Sequence, residues 1–90
     1  MHKRKLITIH GKVQGVGFRY AARIMAQYMD IKGLVKNKPD GTVFIDGEGE
    51  EERLREFIDW CHKGPDHAKV AEVVEMEIQL QHYKSFEVSF

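Results

Sequence analysis

Several features that would settle the class of a protein are scarce or missing here. Cys61 is the only cysteine in 90 residues, which excludes an internal disulfide and any site built from several cysteines. No apolar run approaches the roughly 20 residues that a membrane-spanning helix requires. The basic N-terminus, MHKRKLITIH, lacks the apolar segment of a signal peptide. We therefore expect a cytoplasmic protein that does not associate with membranes.

The net charge is zero, since 14 basic residues balance 14 acidic ones. Nucleic-acid-binding domains tend to be basic overall, so we do not expect a nucleic-acid partner. The charge is nevertheless uneven, because no acidic residue precedes Asp30. The basic residues of that first third are Lys3, Arg4, Lys5, Lys12, Arg19 and Arg23. Taken alone, this charge pattern is more typical of a solvated face than of a binding surface.

Hydrophobic periodicity predicts strands in alternation with helices. The stretches KLITIH, IKGLVKN, TVFIDGEG and VVEMEIQL are typical of strands, and SFEVSF of a short fifth strand. FRYAARIMAQYM and EEERLREFIDWCHK carry apolar residues at helical spacing, and KPDG is typical of a hairpin turn. We expect each strand to pack its apolar face on the helices. In the fourth strand these residues are Val74, Met76, Ile78 and Leu80.

This order of elements predicts an α+β, ferredoxin-like βαββαβ fold. We expect a single domain over residues 1–90, built as a two-layer sandwich. It has an antiparallel sheet with two helices on one face, and a short C-terminal fifth strand. In this motif the first and second strands both flank the third and run parallel, so their C-terminal ends lie about 10 Å apart at one edge. GKVQGVGFR and KNKPDG follow those two ends.

A cluster of glycines marks the end of the first strand. Three of the eight glycines lie within residues 11–17, and Arg19 follows them at the start of the predicted helix. Glycine permits a close backbone approach to a ligand, and the first amides of a helix lack intrahelical partners. A cation is unfavourable there unless an anion lies beside it, and phosphate fits both groups. The alternative is a tight strand-to-helix connection with an exposed arginine; the chemistry favours the anion site.

Other glycine-loop and nucleophile motifs do not fit. A P-loop requires glycine where Val16 stands, and a dinucleotide loop requires glycine where Tyr20 stands. The loop has no cysteine nucleophile, and Cys61 falls on the apolar stripe of the second helix, where we expect it in the core. The five histidines lack the spacing of metal ligands. We expect neither a metal nor another cofactor.

Three stretches together resemble the acylphosphatase family: GKVQGVGFR, GLVKNKPDGTVFIDGEG and GPDHAKV, in that order between Gly11 and Val70. The resemblance implies a metal-independent hydrolase that cleaves the carboxyl–phosphate bond of acyl phosphates to carboxylate and inorganic phosphate. It implies that Arg19 is the catalytic, phosphate-binding arginine and that Asn37 positions the attacking water. It also implies a phosphate cradle of backbone amides from Gln14, Gly15, Val16, Gly17, Phe18 and Arg19.

The chemistry of such a reaction needs few protein groups. The leaving carboxylate is the conjugate base of an acid with a pKa near about 4, so it requires no general acid. Phosphoryl transfer is loose, and catalysis is mainly positioning and charge stabilisation. With no protein base beside Asn37, we expect the oxygens of the substrate to accept the proton of the water. Without the resemblance, Asn37 before Lys-Pro is more typical of a turn residue.

Two alternatives remain. The fold also serves non-catalytic binding modules, because fold alone does not define function. The chain lacks both the aromatic string of RNA-recognition domains and the paired cysteines of metal chaperones. Acylphosphatase-like domains also occur inside larger carbamoyl-transferring maturation proteins. We expect a free-standing, monomeric enzyme whose partners are small acyl phosphates and inorganic phosphate.

Overall fold

Five strands and two helices form the fold in the computed structural model, which describes residues 1–90. They are β1 (His2–Lys12), α1 (Phe18–Tyr28), β2 (Lys32–Asn37), β3 (Val43–Glu50), α2 (Glu51–Lys63), β4 (Lys69–Ile78) and β5 (Phe86–Val88). This order confirms the predicted α+β, ferredoxin-like arrangement. Neither helix is long and apolar enough to cross a membrane.

The strands form one sheet in the order β4-β1-β3-β2-β5. The pairs β1–β3, β1–β4 and β2–β3 are antiparallel, as predicted for the four strands of the motif. The predicted fifth strand, β5, pairs parallel to β2, so the complete sheet is mixed. After β4 the chain crosses one end of the sheet through residues 79–85, and β5 therefore starts at the end where β2 starts.

The core lies between the two helices and one face of the sheet. Its sixteen buried residues are Ile7, Ile9, Val13, Phe18, Ala22, Ala26, Met29, Ile31, Val35, Val43, Ile45, Leu54, Phe57, Ile58, Cys61 and Phe86. Cys61 is fully buried on α2, so the prediction of a packing role is confirmed. In β1 and β3 the core residues are two apart, Ile7 with Ile9 and Val43 with Ile45, because strand side chains alternate between faces.

The apolar stripe of β4 does not join that core, and the expectation that it would was wrong. The exposed fractions are 47% for Val74, 61% for Met76 and 37% for Ile78, and Leu80 beyond the strand is 38% exposed. Glu75 lies opposite the buried Ile7 instead. At this sheet edge, carboxylates of β4 pair with lysines of β1, as in the 2.6 Å contact of Glu75 with Lys5. Alternation shows which residues share a face, but not which face meets the helices.

A paired polar cluster lies at the end of the sheet that residues 79–85 cross. We call it the Arg4 cluster: Arg4, Asp46, Glu48 and Tyr83. Arg4 donates to Asp46 Oδ1 and Oδ2 at 2.9 and 2.8 Å, and the Tyr83 hydroxyl donates to Asp46 Oδ2 at 2.6 Å. Glu48 accepts hydrogen bonds from the backbone N–H groups of residues 81–83. Both carboxylates are only 4% exposed, which such pairing makes tolerable.

The opposite end of the sheet brings the predicted site residues together. Both β1 and β2 flank β3 and run parallel to each other, so their last residues, Lys12 and Asn37, end at the same edge. The loop after β1 leads directly into α1, and the hairpin after β2 leads into β3. The glycine-rich loop and the hairpin are therefore neighbours, as the sequence predicts.

Candidate active site

The loop between β1 and α1 has the backbone conformation that its glycines permit. Gly15 and Gly17 have φ angles of 75° and 81°, whereas Val16 between them has a negative φ. A Cβ atom at either glycine would meet no atom within 4 Å, so the backbone conformation, not crowding, calls for glycine. Alternation of this kind curls a chain so that successive N–H groups converge on one concave, anion-binding point.

The amides of this loop are free donors. Residues 14–17 donate no hydrogen bond to another backbone group. Phe18 and Arg19 occupy the first turn of α1, where amides have no intrahelical acceptor. No side chain caps the helix, and its first turn has no acidic residue. The six amides expected to form the cradle are thus available to a ligand, beside the positive end of the helix dipole.

Arg19 is held from one side by the C-terminal residues. Its Nη1 donates to the backbone carbonyl of Ser89 at 3.3 Å, and its guanidinium lies 4.8 Å from the centre of the Phe90 ring. No carboxylate, including that of the C-terminus, lies within 4.0 Å of it, since it takes part in none of the ion pairs of the structure. The guanidinium is therefore oriented by neutral partners and keeps donors free for an anion.

Asn37 carries the one buried side-chain oxygen or nitrogen without a hydrogen-bond partner. The residue ends β2 and pairs with Val43 of β3, and its Oδ1 accepts no hydrogen bond. A buried acceptor left unpaired costs about 1–3 kcal/mol, so native proteins rarely leave one without a functional reason. Oδ1 keeps an unused acceptor and is closed to solvent in this side-chain conformation.

Arg19 and Asn37 line the same cavity, which has a volume of about 340 Å³. Gly15, Gly17 and Phe18 of the predicted cradle line it too, whereas Gln14 and Val16 do not. Val16 packs partly against the core. The other lining residues are Val13, Tyr20, Arg23, Glu87, Val88 and Phe90.

Sequence reasoning missed the contribution of the C-terminal segment to this cavity. Glu87, Val88 and Phe90 reach it because β5 pairs with β2, and no pattern in the sequence specifies that partner. Arg23 could have been found, since it lies four residues after Arg19 on α1 and such residues share a helix face. Its side chain forms no ion pair.

The cavity offers no cysteine nucleophile and no metal cluster. Burial of Cys61 raises the pKa of its thiol, and Cys61 does not line the cavity. No three histidine, cysteine or acidic side chains are grouped closely enough to hold a metal ion. The groups that can act on an anionic substrate are the loop amides, Arg19, Arg23 and the amide of Asn37.

The fold and this cavity define a small α+β protein with a loop of free backbone amides between its first strand and first helix. Comparison with known proteins gives the family: the acylphosphatase family model matches residues 5–88, and the chain belongs to the acylphosphatase family. An acylphosphatase of Archaeoglobus fulgidus is 45% identical over 84 residues, which are 93% of this chain and 94% of that protein.

Solved structures agree with this membership. The crystal structure of an acylphosphatase from Bacillus subtilis has a TM-score of 0.95, is 34% identical, and is matched over 100% of both chains. A full-length HypF in a phosphate- and nucleotide-bound form has a TM-score of 0.89 and is 30% identical; the match covers all of this chain but 12% of HypF. The resemblance found in the sequence is therefore confirmed, and the same fold also occurs within a much larger protein.

Proposed function

We propose that this acylphosphatase, an enzyme that hydrolyses acyl phosphates, binds the phosphoryl group of its substrate between the amides of residues 14–19 and the Arg19 guanidinium. The free amides and an arginine without a carboxylate partner support this assignment. Together they offer convergent donors and positive charge to three phosphoryl oxygens. These fixed donors stabilise the charge that a loose transition state spreads over the three phosphoryl oxygens.

Asn37 positions the nucleophile in this proposal. The observation that carries the mechanism is that Asn37, whose Oδ1 has no hydrogen-bond partner, lines the cavity that Arg19 also lines. In the proposal the side chain turns Oδ1 into the cavity, where it accepts a hydrogen bond from the attacking water. The water oxygen forms a bond to phosphorus as the bond from phosphorus to the acyl oxygen breaks. The carboxylate leaves with that electron pair, and the proton of the water passes to a phosphoryl oxygen. Products are a carboxylate and inorganic phosphate.

The protein supplies all the charge that this route needs. Arg19 and the amide dipoles neutralise the phosphoryl oxygens, and the weakly basic carboxylate leaves without a proton donor. We therefore propose that the reaction requires no metal ion.

The wider setting is also proposed. We propose that residues 1–90 act as one domain, since every strand joins one sheet and one core. We further propose a monomeric, cytoplasmic enzyme without a nucleic-acid partner, which the balanced charge and single buried cysteine support.

The test is hydrolysis of benzoyl phosphate in the presence of EDTA. We expect activity from the native protein, and a loss of about a hundredfold or more in Arg19→Ala and in Asn37→Ala. Arg53→Ala, an exposed arginine on α2, is the matched control and should keep full activity. Circular dichroism checks that each variant is folded. A folded native protein without activity, or activity that EDTA abolishes, would contradict the proposal.

A further inference from the structure

The Gln14 side chain connects the phosphate loop to the hairpin that carries Asn37. Its Nε2 donates one hydrogen bond to the Lys38 carbonyl at 2.8 Å and another to the Thr42 carbonyl at 2.9 Å. Both protons of the side-chain amide are therefore used. No other side chain of residues 13–19 donates a hydrogen bond to the hairpin.

The chemistry of the partners fixes which end of the amide faces the hairpin. Both partners are carbonyl oxygens, which only accept, so the donor must be the nitrogen of Gln14. A side chain of the same length without donors would leave both contacts unmade.

The two carbonyls belong to the hydrogen-bonded frame of the hairpin turn. Lys38 N–H donates to the Thr42 carbonyl at 2.9 Å, and Gly41 N–H donates to the Lys38 carbonyl at 3.1 Å. Lys38 directly follows Asn37, and Thr42 directly precedes Val43, the cross-strand partner of Asn37. The Gln14 amide is therefore hydrogen-bonded to the hairpin on both sides of the Asn37–Val43 pair, which is the last pair of the β2–β3 ladder.

We propose that Gln14 is a positioning residue that sets the distance between the phosphate cradle and the Asn37 amide. This inference rests on the proposed function, in which the cradle holds the phosphoryl group and Asn37 holds the water. The phosphate cradle belongs to the loop and Asn37 belongs to the hairpin. The side chain of Gln14 links the two by its hydrogen bonds. A displacement of about 1 Å between nucleophile and acceptor can reduce a rate about a hundredfold.

The first arm of the test is kinetic. Gln14→Met retains length and neutrality but removes both donors, and Gln27→Met is the matched control, at an exposed position near the end of α1. For Gln14→Met we expect kcat on benzoyl phosphate to fall about ten- to a hundredfold. The inhibition constant for inorganic phosphate should change less than about threefold, because the cradle amides remain. If Gln14 only stabilised the fold, its substitution would not change kcat without also changing the inhibition constant for inorganic phosphate.

A double-mutant cycle asks whether Gln14 acts through Asn37. In an Asn37→Ala background, Gln14→Met should change kcat less than about twofold, since the group that it positions is already gone. Gln14→Met with native kcat would overturn the proposal. So would an equal loss in both backgrounds, or a phosphate inhibition constant that rises as kcat falls.

Asn37 is the only asparagine of the chain, so selective ¹⁵N-asparagine labelling reports it alone. In Gln14→Met we expect its side-chain NH₂ signals to shift or multiply, while in Gln27→Met they stay in place. Unchanged signals in Gln14→Met would overturn the inference whether or not the protein hydrolyses benzoyl phosphate. Inactivity of the native protein would instead overturn the proposed function.

Discussion

Polar groups are paired with each other at one end of the sheet, whereas several are left without partners at the other end. At the end crossed by residues 79–85, Arg4 and two nearly buried carboxylates pair with each other, with Tyr83 or with backbone amides. At the other end, the amides of the glycine-rich loop donate to no backbone group, and Asn37 Oδ1 accepts no hydrogen bond. Both ends use an arginine, but only Arg4 has a carboxylate partner.

We expect this contrast to separate polar groups that stabilise the fold from polar groups that bind a ligand. Removing one member of a buried pair leaves its partner unsatisfied, and this destabilises the native state. Unpaired groups cost stability and are retained where a substrate completes them. Substitutions at the site end should therefore change activity more than stability, and those in the Arg4 cluster should do the reverse.

The largest effect is expected from Arg19→Lys. Lysine keeps the charge but lacks the planar fork that matches two phosphoryl oxygens. We expect kcat/KM on benzoyl phosphate to fall about a hundredfold, with little change in the free energy of unfolding. Steady-state kinetics and urea titration measure the two. Arg53→Lys is the control, and activity close to native in Arg19→Lys would break the contrast.

Arg4→Met should act in the opposite sense. The side chains of Arg4 and Asp46 are 14% and 6% exposed, so the variant leaves Asp46 with a buried, uncompensated charge. We expect the free energy of unfolding to fall by about 3 kcal/mol, with kcat nearly native at temperatures where the variant is folded. Urea titration and kinetics on the same sample decide this. A variant of native stability that has lost its activity would show that the two ends are not separate.

Glu48 should give the Arg4 cluster a pH dependence. Burial alone would raise the pKa of Glu48, but hydrogen bonds from the His82, Gln81 and Tyr83 amides outweigh it and lower the pKa. The stabilisation is present above the ordinary glutamate pKa of about 4.3 and is lost as the pH falls toward the lower folded-state value. We expect Tm to fall with acid below about pH 5, and to fall less steeply in Glu48→Gln, which starts from a lower Tm at pH 7.

Thermal unfolding between pH 7 and pH 3 measures this slope. Glu52→Gln, an exposed glutamate on α2, is the control and should follow the native protein. Equal slopes for Glu48→Gln and the native protein would contradict a role for Glu48 in acid sensitivity.

The smallest effect is expected at the C-terminus. The Phe90 ring lies over the Arg19 guanidinium, a contact worth about 0.5–1 kcal/mol at an exposed site. Phe90→Ala should raise KM for benzoyl phosphate about two- to fivefold with stability unchanged. Phe90→Leu keeps apolar bulk without the π face and should behave like Phe90→Ala. A native KM in both would show that the ring does not orient Arg19.

Much of the fold follows from local patterns in the sequence. The helices and the four strands of the motif have clear periodicity, and their order leaves few topologies. Two long-range features could not be predicted. The parallel pairing of β5 depends on where residues 79–85 cross the sheet, and the exposure of Val74 and Met76 depends on which face of β4 the helices cover.

The features of the site also divide into those that the sequence predicts and those that it does not. Arg19 and Asn37 could be brought to one sheet edge from strand order alone, and the structure places both in one cavity. The two hydrogen bonds of Gln14 could not be predicted, because they depend on the exact approach of two loops. The lone buried acceptor on Asn37 likewise becomes visible only when every neighbour has a position.

The most direct test of the account is a titration of the ¹⁵N-labelled protein with inorganic phosphate, followed by NMR. We expect saturable shifts that are largest for the amides of residues 15–19 and for the Asn37 side chain, and that leave the amides of residues 81–83 in place. Shifts centred on another surface, or the absence of saturable shifts from the loop amides, would contradict the claim that the unpaired end of the sheet is the phosphate site.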